Sequence, residues 1–157
     1  MFNGFSSIPK KRGPCKKACP IYDTKDPIVR ANVPVARVLI ENKGLNAIKM
    51  KQLRFRELIN STGKKTYILR NEEMENVATA TRTDNGEIVF YLNNGGEKIV
   101  GLGSELFTVQ LVDKPDKATS IQLKLLAEGT YYDSSDDKGY EMDIDSGVLL
   151  DETVFRE

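Results

Sequence analysis

The sequence predicts an all-β protein, an antiparallel β-sandwich that we expect to be immunoglobulin-like, with a jelly roll as the second choice. Three observations lead to this prediction. Short segments alternate apolar and polar residues with a period of two, turn residues separate them about every 10 residues, and roughly seven to nine such segments can be counted. At 157 residues, with 39% hydrophobic residues, the chain is long enough for one domain with its own core.

The first 27 residues differ in composition from the rest of the chain. They hold four of its six prolines, which exclude a helix or a central strand there. We therefore expect residues 1–27 to be an extended, basic, proline-rich arm, 28–145 to be the sandwich and 146–157 to be an acidic C-terminal tail. The cations of the arm are Lys10, Lys11, Arg12, Lys16 and Lys17.

The first two predicted strands follow the arm. Residues 33–40 alternate, and Pro34 argues for an edge position at the start of that strand. Residues 45–59 also alternate, but the pattern slips near Met50, where a β-bulge or a bend would reconcile the two halves. A helix is the competing interpretation of the second half, and we favour a strand because the flanking elements leave a helix nothing to cover.

Further strands are predicted at 66–70, 77–83 and 88–92. Asp84-Asn85-Gly86 is a hairpin signal, since Asn-Gly takes the positive φ angles of a tight reversal. Residues 97–127 then form the stretch around which the chain is organised: two half-buried strands separated by the polar bridge 113–120. That bridge is long for a tight hairpin and suits a crossing from one sheet to the other.

The absence of histidine limits the chemistry that this chain can perform. Ser-His and Cys-His nucleophile pairs, histidine bases and histidine-ligated metals are excluded. Carboxylates at Glu57, Glu72, Glu73 and Glu87 remain, but nothing in the sequence marks a buried or facing pair, and we expect exposed charges. We therefore predict that the protein is not an enzyme and uses no cofactor.

Charge is balanced over the chain but not along it. The 23 basic and 23 acidic residues cancel, yet residues 1–30 hold seven Lys or Arg against two Asp, and residues 128–157 hold ten Asp or Glu against two Lys or Arg. The acidic segment includes Asp133, Asp136, Asp137, Asp143 and Asp145, and it fails the EF-hand pattern because Lys138 and Ile144 stand where Gly and Glu are needed. We expect a solvated loop, with calcium binding as the lesser alternative.

Cys15 and Cys19 stand four residues apart in the arm. Two free thiols, a disulfide within or between chains, and redox or metal chemistry remain open, in that order of preference. Two thiols alone are too few ligands for a structural metal site. Neighbouring lysines would lower the pKa of either thiol and raise its reactivity.

Three stretches carry a resemblance to known proteins: VARVLIENKGLNAIKMKQLRF, EIVFYLNN and IVGLGSELFTVQLVDKPDKATSIQLKLL. Together they resemble the immunoglobulin-like sandwich modules of prokaryotic surface proteins, S-layer and pilus-associated ones among them, and of virion structural proteins. The resemblance covers residues 33–127. It implies a structural or adhesive role and carries no site residues with it.

We expect a subunit of a shell or filament at a virion or cell surface, held by the basic arm of one copy against the acidic segment of the next. Its partner would be itself or other structural subunits; nucleic acid is a less favoured partner, and neither a signal peptide nor membrane insertion is expected. The alternative is an extracellular adhesive or carbohydrate-binding module, calcium-assisted, using Tyr131, Tyr132 and Tyr140.

Overall fold

The computed structural model describes residues 3–7, 21–25, 33–58, 65–113, 115, 118–134, 138–141, 143–144 and 150–156. Every regular element in these ranges is a β-strand, as the period-two patterns predict. The strands are β1 (Asn3–Ser7), β2 (Ile21–Asp23), β3 (Val33–Asn42), β4 (Ile48–Glu57), β5 (Thr66–Arg70), β6 (Asn76–Thr81), β7 (Glu87–Tyr91), β8 (Glu97–Ile99), β9 (Ser104–Leu111), β10 (Thr119–Asp133), β11 (Gly139–Glu141), β12 (Asp143–Ile144) and β13 (Leu150–Arg156).

The strands form two sheets that pack face to face. One sheet has the order β12-β1-β3-β9-β5-β6, and the other has the order β2-β13-β10-β4-β7, with β8 also paired to β4 and β11 to β10. All strand pairs are antiparallel except β1 with β12 and β2 with β13. The core between the sheets is apolar, and its largest fully buried side chains include Phe55, Tyr67, Phe90, Phe107 and Phe155. The prediction of an all-β, mainly antiparallel two-sheet protein is confirmed.

The crossing predicted within residues 97–127 is confirmed. β9 lies in the middle of the six-stranded sheet and β10 in the middle of the seven-stranded sheet, so the bridge between them passes from one sheet to the other. The two strands present opposite halves of the same core, because Phe107 and Val109 of β9 and Leu123 and Leu125 of β10 are all buried. A long polar connection is what this change of sheet requires.

The predicted slip in β4 is also present. Ile48 and Met50 are buried in its first half and Leu53 and Phe55 in its second half, so the inward-facing set changes parity between Met50 and Leu53. The register with β10 shifts over the same part of the strand. The helical alternative is wrong for this segment.

Pro34 is not in an edge strand, because β3 lies between β1 and β9. The pairing with β1 begins only at Val38 and continues to Asn42. Pro34 pairs with Gln110 of β9 on one side and lies beyond the end of β1 on the other. The missing N–H of proline is therefore tolerated inside an interior strand, where one neighbour stops short.

Three strands, β1, β2 and β13, lie outside the predicted sandwich boundaries of 28 and 145. β1 is enclosed by β3 and β12, and β13 is enclosed by β10 and β2. The structure therefore corrects the predicted arm at Asn3–Ser7 and Ile21–Asp23 and the predicted tail at Leu150–Arg156. The prolines of the arm begin only at Pro9, so Asn3–Ser7 keep every N–H for the ladder. In the tail, Thr153 and Phe155 are both buried and fix the inward face of the strand.

The predicted hairpin at Asp84-Asn85-Gly86 is wrong. The turn forms, with the N–H of Gly86 donating to the carbonyl of Thr83 at 3.0 Å and Gly86 at φ 85°. However, β6 before it and β7 after it belong to different sheets. Turn residues determine where the chain reverses direction, but they do not determine which strand pairs with which. β7 pairs with β4, where the ring of Phe90 contacts that of Phe55 edge to face.

Candidate functional site

Four connections lie together at one end of the sandwich, which we call the loop end. They are residues 43–47, 71–75, 92–96 and 100–103. The antiparallel registers bring them together, because Glu41 at the end of β3 pairs with Ser104 at the start of β9, and Arg70 at the end of β5 pairs with Thr108. These loops display exposed apolar side chains and converging carboxylates.

Asn42 organises two of the four loops. Its buried side-chain amide donates to the carbonyl of Asn46 at 2.8 Å and to those of Ile99 and Val100 at 3.1 Å each, and its Oδ1 accepts from the N–H of Gly44 at 3.0 Å. A single side chain thus satisfies backbone groups from both loops. Loops 43–47 and 100–103 are held as one unit.

These two loops carry an exposed apolar group that we call the apolar tip, formed by Leu45, Val100 and Leu102. Leu45 is 82% exposed and Leu102 is 71% exposed. The two loops touch, because the N–H of Leu102 donates to the carbonyl of Gly44 at 2.8 Å and a Cβ on Gly101 would come within 1.9 Å of the carbonyl oxygen of Leu45. Aliphatic side chains from adjacent loops are therefore presented side by side to solvent.

The backbone at the loop end is strained where it presents apolar side chains. Leu102 has φ 59° and Met74, in loop 71–75, has φ 62°. Left-handed backbone is uncommon for residues with a Cβ and costs of order 1–3 kcal/mol for a bulky side chain. Both residues are exposed, so burial of their side chains in the monomer does not compensate for this cost. Such strain is typical of binding and switching sites.

A shallow, open depression of about 330 Å³ lies beside the apolar tip. It is lined by Glu41, Asn42, Lys43, Leu102, Gly103 and Ser104. The depression and the tip share Leu102, so an apolar group docking on the tip would have a polar recess next to it.

Three carboxylates converge at the mouth between the sheets, at the same end. One oxygen each from Glu73, Glu97 and Glu105 lies within 4.8 Å of the others. Glu105 pairs with buried Ile40 on one sheet and Glu97 with buried Met50 on the other, so both glutamates face the inside of the sandwich at its rim.

Hydrogen bonds fix part of this carboxylate group. The amide of Asn71 donates to Oε1 of Glu97 at 3.2 Å, and the N–H of Glu72 donates to Oε1 of Glu105 at 3.1 Å. Burial raises the pKa of the Glu105 carboxyl; the backbone hydrogen bond from Glu72 opposes this, while the charges of Glu72, Glu73 and Glu97 add to it. Such a group can share protons or offer oxygen ligands to a hard cation.

A second polar group closes the opposite end of the sandwich. Glu57, the last residue of β4, has a side chain that is only 1% exposed. Its Oε1 accepts from the hydroxyl of Tyr67 at 2.6 Å and from Nζ of Lys65 at 3.2 Å, and its Oε2 accepts from Nε of Arg82. The expectation that Glu57 is an exposed strand charge is wrong, because it continues the inward series of Leu53 and Phe55.

Burial shifts the titration of the groups around Glu57. Burial raises the pKa of the Tyr67 hydroxyl well above its usual range, and the negative charge of Glu57 raises it further. Burial also lowers the pKa of Lys65, with Glu57 partly offsetting that effect. Glu57 belongs to the seven-stranded sheet, and Lys65 and Tyr67 lie at β5 of the other, so the network fastens the two sheets together.

Few of the residues singled out in the sequence lie at the loop end. The basic residues Lys10, Lys11, Arg12, Lys16 and Lys17, the cysteines Cys15 and Cys19, and the acidic residues Asp136, Asp137 and Asp145 are outside the described residues. Asp143 is in β12, and Asp133 forms an ion pair with Lys51 at 3.3 Å. The described part of the acidic segment therefore brings no carboxylate cluster together.

The tyrosines named for a carbohydrate site do form a pair. Tyr132 and Tyr140 stack with their ring centroids 5.6 Å apart. Tyr132 is buried and Tyr140 is exposed, so only the outer ring of the pair could contact a ligand. Tyr131 lies next to them on the opposite face of β10 and is half-buried.

Sequence reasoning missed both the apolar tip and the mouth carboxylates. Their residues are scattered over three loops and two strands, and no local spacing connects Leu45 to Leu102 or Glu73 to Glu105. One signal was present: Gly101-Leu102-Gly103 places a leucine between two glycines in a turn, where an apolar side chain has no predicted core to enter.

A comparison with models of known protein families finds no match for this chain, and a comparison with curated proteins finds none either. Among solved structures, one described as "AvmM Catalyzes Macrocyclization in Alchivemycin A Biosynthesis" aligns with a TM-score of 0.41 and 9% sequence identity, covering 99% of this chain and 88% of that one. At this TM-score the similarity supports no inference about subclass or activity. The described residues contain no helix that is long and apolar enough to cross a membrane.

Proposed function

We propose that this protein is a non-enzymatic structural subunit, a β-sandwich of the immunoglobulin-like kind that assembles with copies of itself or with other structural subunits into a shell or filament at a virion or cell surface. The observation that carries the proposal is the apolar tip. Leu45, Val100 and Leu102 are exposed together on two loops that a buried asparagine holds in place.

The free energy of burying the tip is unused in the monomer. Fully burying one leucine or valine side chain is worth roughly 1.5–3 kcal/mol, so three of them offer a contact of several kcal/mol to a partner. The positive φ of Leu102 adds to the case, because strain in an exposed leucine serves no purpose in the isolated fold. A docking surface explains both features.

The tip is also pre-organised for docking. The amide of Asn42 bonds to loops 43–47 and 100–103 at the same time, so a partner meets side chains whose backbone is already ordered. Binding then costs less conformational entropy than it would for a flexible loop. This suits a subunit that makes the same contact many times.

Charge favours contact between identical copies. The chain has no net charge, so two copies do not repel each other at long range. Its first 30 residues are basic and its last 30 are acidic, which is a complementary arrangement for a contact between different faces of neighbouring copies. Lys10, Lys11, Arg12, Lys16 and Lys17 supply the positive side of this second contact.

Replacing two leucines of the tip tests the proposal. Leu45→Ser with Leu102→Ser should shift the protein from large species to monomer in sedimentation velocity at a fixed concentration, without lowering its thermal midpoint. The matched control is Leu58→Ser, which changes an exposed leucine at the opposite end of β4 and should leave assembly unchanged. Equal assembly of the double variant and the control would overturn the proposal.

The contribution of the basic arm needs a charge test, not a deletion, because β1 and β2 belong to the sheets and removing residues 1–27 would remove both. Changing the five cations of the arm to glutamine should weaken assembly and flatten its dependence on salt. An unchanged salt dependence would assign assembly to the apolar tip alone and refute the role of the arm.

An adhesive or carbohydrate-binding module, assisted by calcium, is the second candidate function. It is favoured by the exposed ring of Tyr140 and by the carboxylates of Glu73, Glu97 and Glu105, which offer oxygen ligands. Glycan-array binding that requires Tyr140, together with a rise in thermal midpoint on adding calcium, would favour this function. If calcium does not change the thermal midpoint and no glycan binds, this second candidate function is wrong.

A further inference from the structure

The outer face of the seven-stranded sheet carries a strip of cations along β4. Its inward residues are apolar up to Glu57, and its outward residues are Lys49, Lys51, Gln52, Arg54 and Arg56. Lys51 and Gln52 both point outward because the alternation slips between Met50 and Leu53. Four of five consecutive outward positions are therefore basic, on a strand in the interior of the sheet.

Neighbouring strands add two cations to this strip. Lys98 of β8 lies directly opposite Lys49, and Lys124 of β10 lies directly opposite Arg56. Like charges in directly opposed cross-strand positions destabilise a sheet. On the other side of β4, Asp133 lies opposite Lys49 and Glu87 lies opposite Arg56, and these carboxylates offset part of the repulsion. An anionic ligand would relieve the rest.

The carboxylates on this face only partly balance the cations. Among the described side chains of the strip and its cross-strand partners, the cations are Lys49, Lys51, Arg54, Arg56, Lys98 and Lys124, and the carboxylates are Glu87 and Asp133. Glu87 bonds to Arg54 and Arg56, and these hydrogen bonds hold the pKa of its carboxyl below the usual value. Asp133 contacts Lys51. Neither of these two carboxylates forms an ion pair with Lys98 or Lys124, and the six cations outnumber them.

Aromatic rings interrupt the strip near its centre. Gln52 pairs with Tyr91 of β7 on one side and with Tyr131 of β10 on the other, so Tyr91, Gln52 and Tyr131 form one cross-strand row on the outer face. Tyr91 is 66% exposed. An exposed ring on the open face of a sheet, with cations on both sides, is the arrangement that binds stacked bases and phosphates of single strands.

We propose that the outer face of the seven-stranded sheet binds single-stranded nucleic acid. The cations of β4 and their neighbours Lys98 and Lys124 contact phosphates, and Tyr91 stacks on a base. The surface is independent of the apolar tip, so it adds a ligand to the protein whether or not the chain assembles. Because contacts to phosphates and ring faces carry little sequence information, binding is tolerant of sequence.

Fluorescence anisotropy of the full chain with a labelled oligothymidylate tests the proposal. With four phosphate contacts, the affinity should fall roughly 50-fold between about 50 and 200 mM salt. A duplex of the same length should bind more weakly, because its bases cannot stack on Tyr91. No detectable binding at the lower salt concentration would overturn the proposal.

Charge variants locate the surface. Lys98→Gln should weaken binding several-fold and at the same time raise the thermal midpoint, because it removes the repulsion with Lys49. A purely structural residue would not change affinity and stability in opposite directions. The matched control is Arg37→Gln, an exposed cation on β3 in the other sheet, which should change neither.

Tyr91→Ala separates single-stranded nucleic acid from other polyanions. It should weaken oligothymidylate binding roughly tenfold, as expected for loss of one base–aromatic stack, and leave binding to heparin unchanged. If Tyr91→Ala has no effect on either ligand, the face is a general polyanion surface and the nucleic-acid assignment is wrong. If only glutamine variants of the N-terminal cations lose binding, the ligand belongs to that segment and this proposal is wrong.

Discussion

The network around Glu57 gives the sharpest stability prediction. Glu57→Gln keeps the shape of the side chain and an oxygen that can accept from Tyr67, but it removes the negative charge between Lys65 and Arg82. All three partners are largely buried, and they lie at β5 and β6, in the sheet opposite the one that carries Glu57. The substitution therefore tests whether charge at this end of the core fastens the two sheets together.

The loss of stability expected for Glu57→Gln can be estimated from the burial of its ion pairs. Removing one charge from a buried, hydrogen-bonded ion pair typically costs about 3–5 kcal/mol. Because glutamine retains the hydrogen bond from Tyr67, the lower value, about 3 kcal/mol, is expected here. For a domain of this size that corresponds to a fall in thermal midpoint of roughly 6–12 °C.

Urea denaturation followed by circular dichroism measures this loss, with tyrosine fluorescence as a second signal because the chain has no tryptophan. The matched control is Glu87→Gln, which also removes a carboxylate held by two cations, but on the outer face, where Arg56 is half exposed. The control should cost less, since Arg56 is half exposed and solvent screens its ion pair with Glu87. A Glu57→Gln variant that is no less stable than the control would refute the role assigned to the network.

Three further predictions follow from the same geometry. As pH rises above 10.0, Tyr67→Phe should lose less stability than wild type. The raised pKa of Tyr67 makes the folded wild type keep a proton that the unfolded chain releases, so wild type is destabilised in this range. Unfolding curves at alkaline pH measure the difference in stability, and a constant difference between the two proteins would contradict the prediction. Glu105→Gln should have a higher thermal midpoint than wild type at pH 7, and the difference should close as pH falls to 4.5. The reason is that the raised pKa of Glu105 lowers the stability of wild type only when the carboxyl is ionised. Thermal midpoints that differ by the same amount at both pH values would contradict this prediction. Gly101→Ala should cost roughly 1–3 kcal/mol in urea denaturation, since its Cβ would meet the carbonyl oxygen of Leu45, whereas Gly139→Ala should be tolerated because its Cβ has no atom closer than 3.5 Å.

The sequence predicted those parts of the fold that local pattern determines. The alternation in β9 and β10, the polar bridge between them and the slip in β4 all follow from period-two burial, and the structure has each of them. Side chains that alternate between a core and solvent leave this signal in the chain itself.

Pairing partners were not predictable in the same way. The turn at Asn85-Gly86 reverses the chain, but whether β6 pairs with β7 depends on the other strands of the two sheets. In the structure β7 pairs with β4. β1, β2 and β13 were missed because composition outweighed pattern: the prolines and charges around them suggested an arm and a tail. Strands recruited from the ends of a chain depend on long-range registers that local spacing does not encode.

The candidate sites depend on tertiary structure to a greater degree. The apolar tip joins two loops through Asn42, and the mouth carboxylates join both sheets and loop 71–75. Glu57 was predicted to be exposed, and that prediction was wrong although the residue follows Leu53 and Phe55 at the same spacing. A carboxylate that continues an inward apolar series predicts a buried ion pair at the end of a strand.

Sedimentation velocity of wild type and Leu102→Gly, over the same range of concentrations, tests the assembly proposal most directly. Glycine takes the positive φ of residue 102 without strain but removes the apolar side chain. We predict that wild type forms larger species as its concentration rises, while Leu102→Gly stays monomeric and melts at a higher temperature. A wild type that remains monomeric throughout, or a variant that assembles equally well, would contradict the proposal.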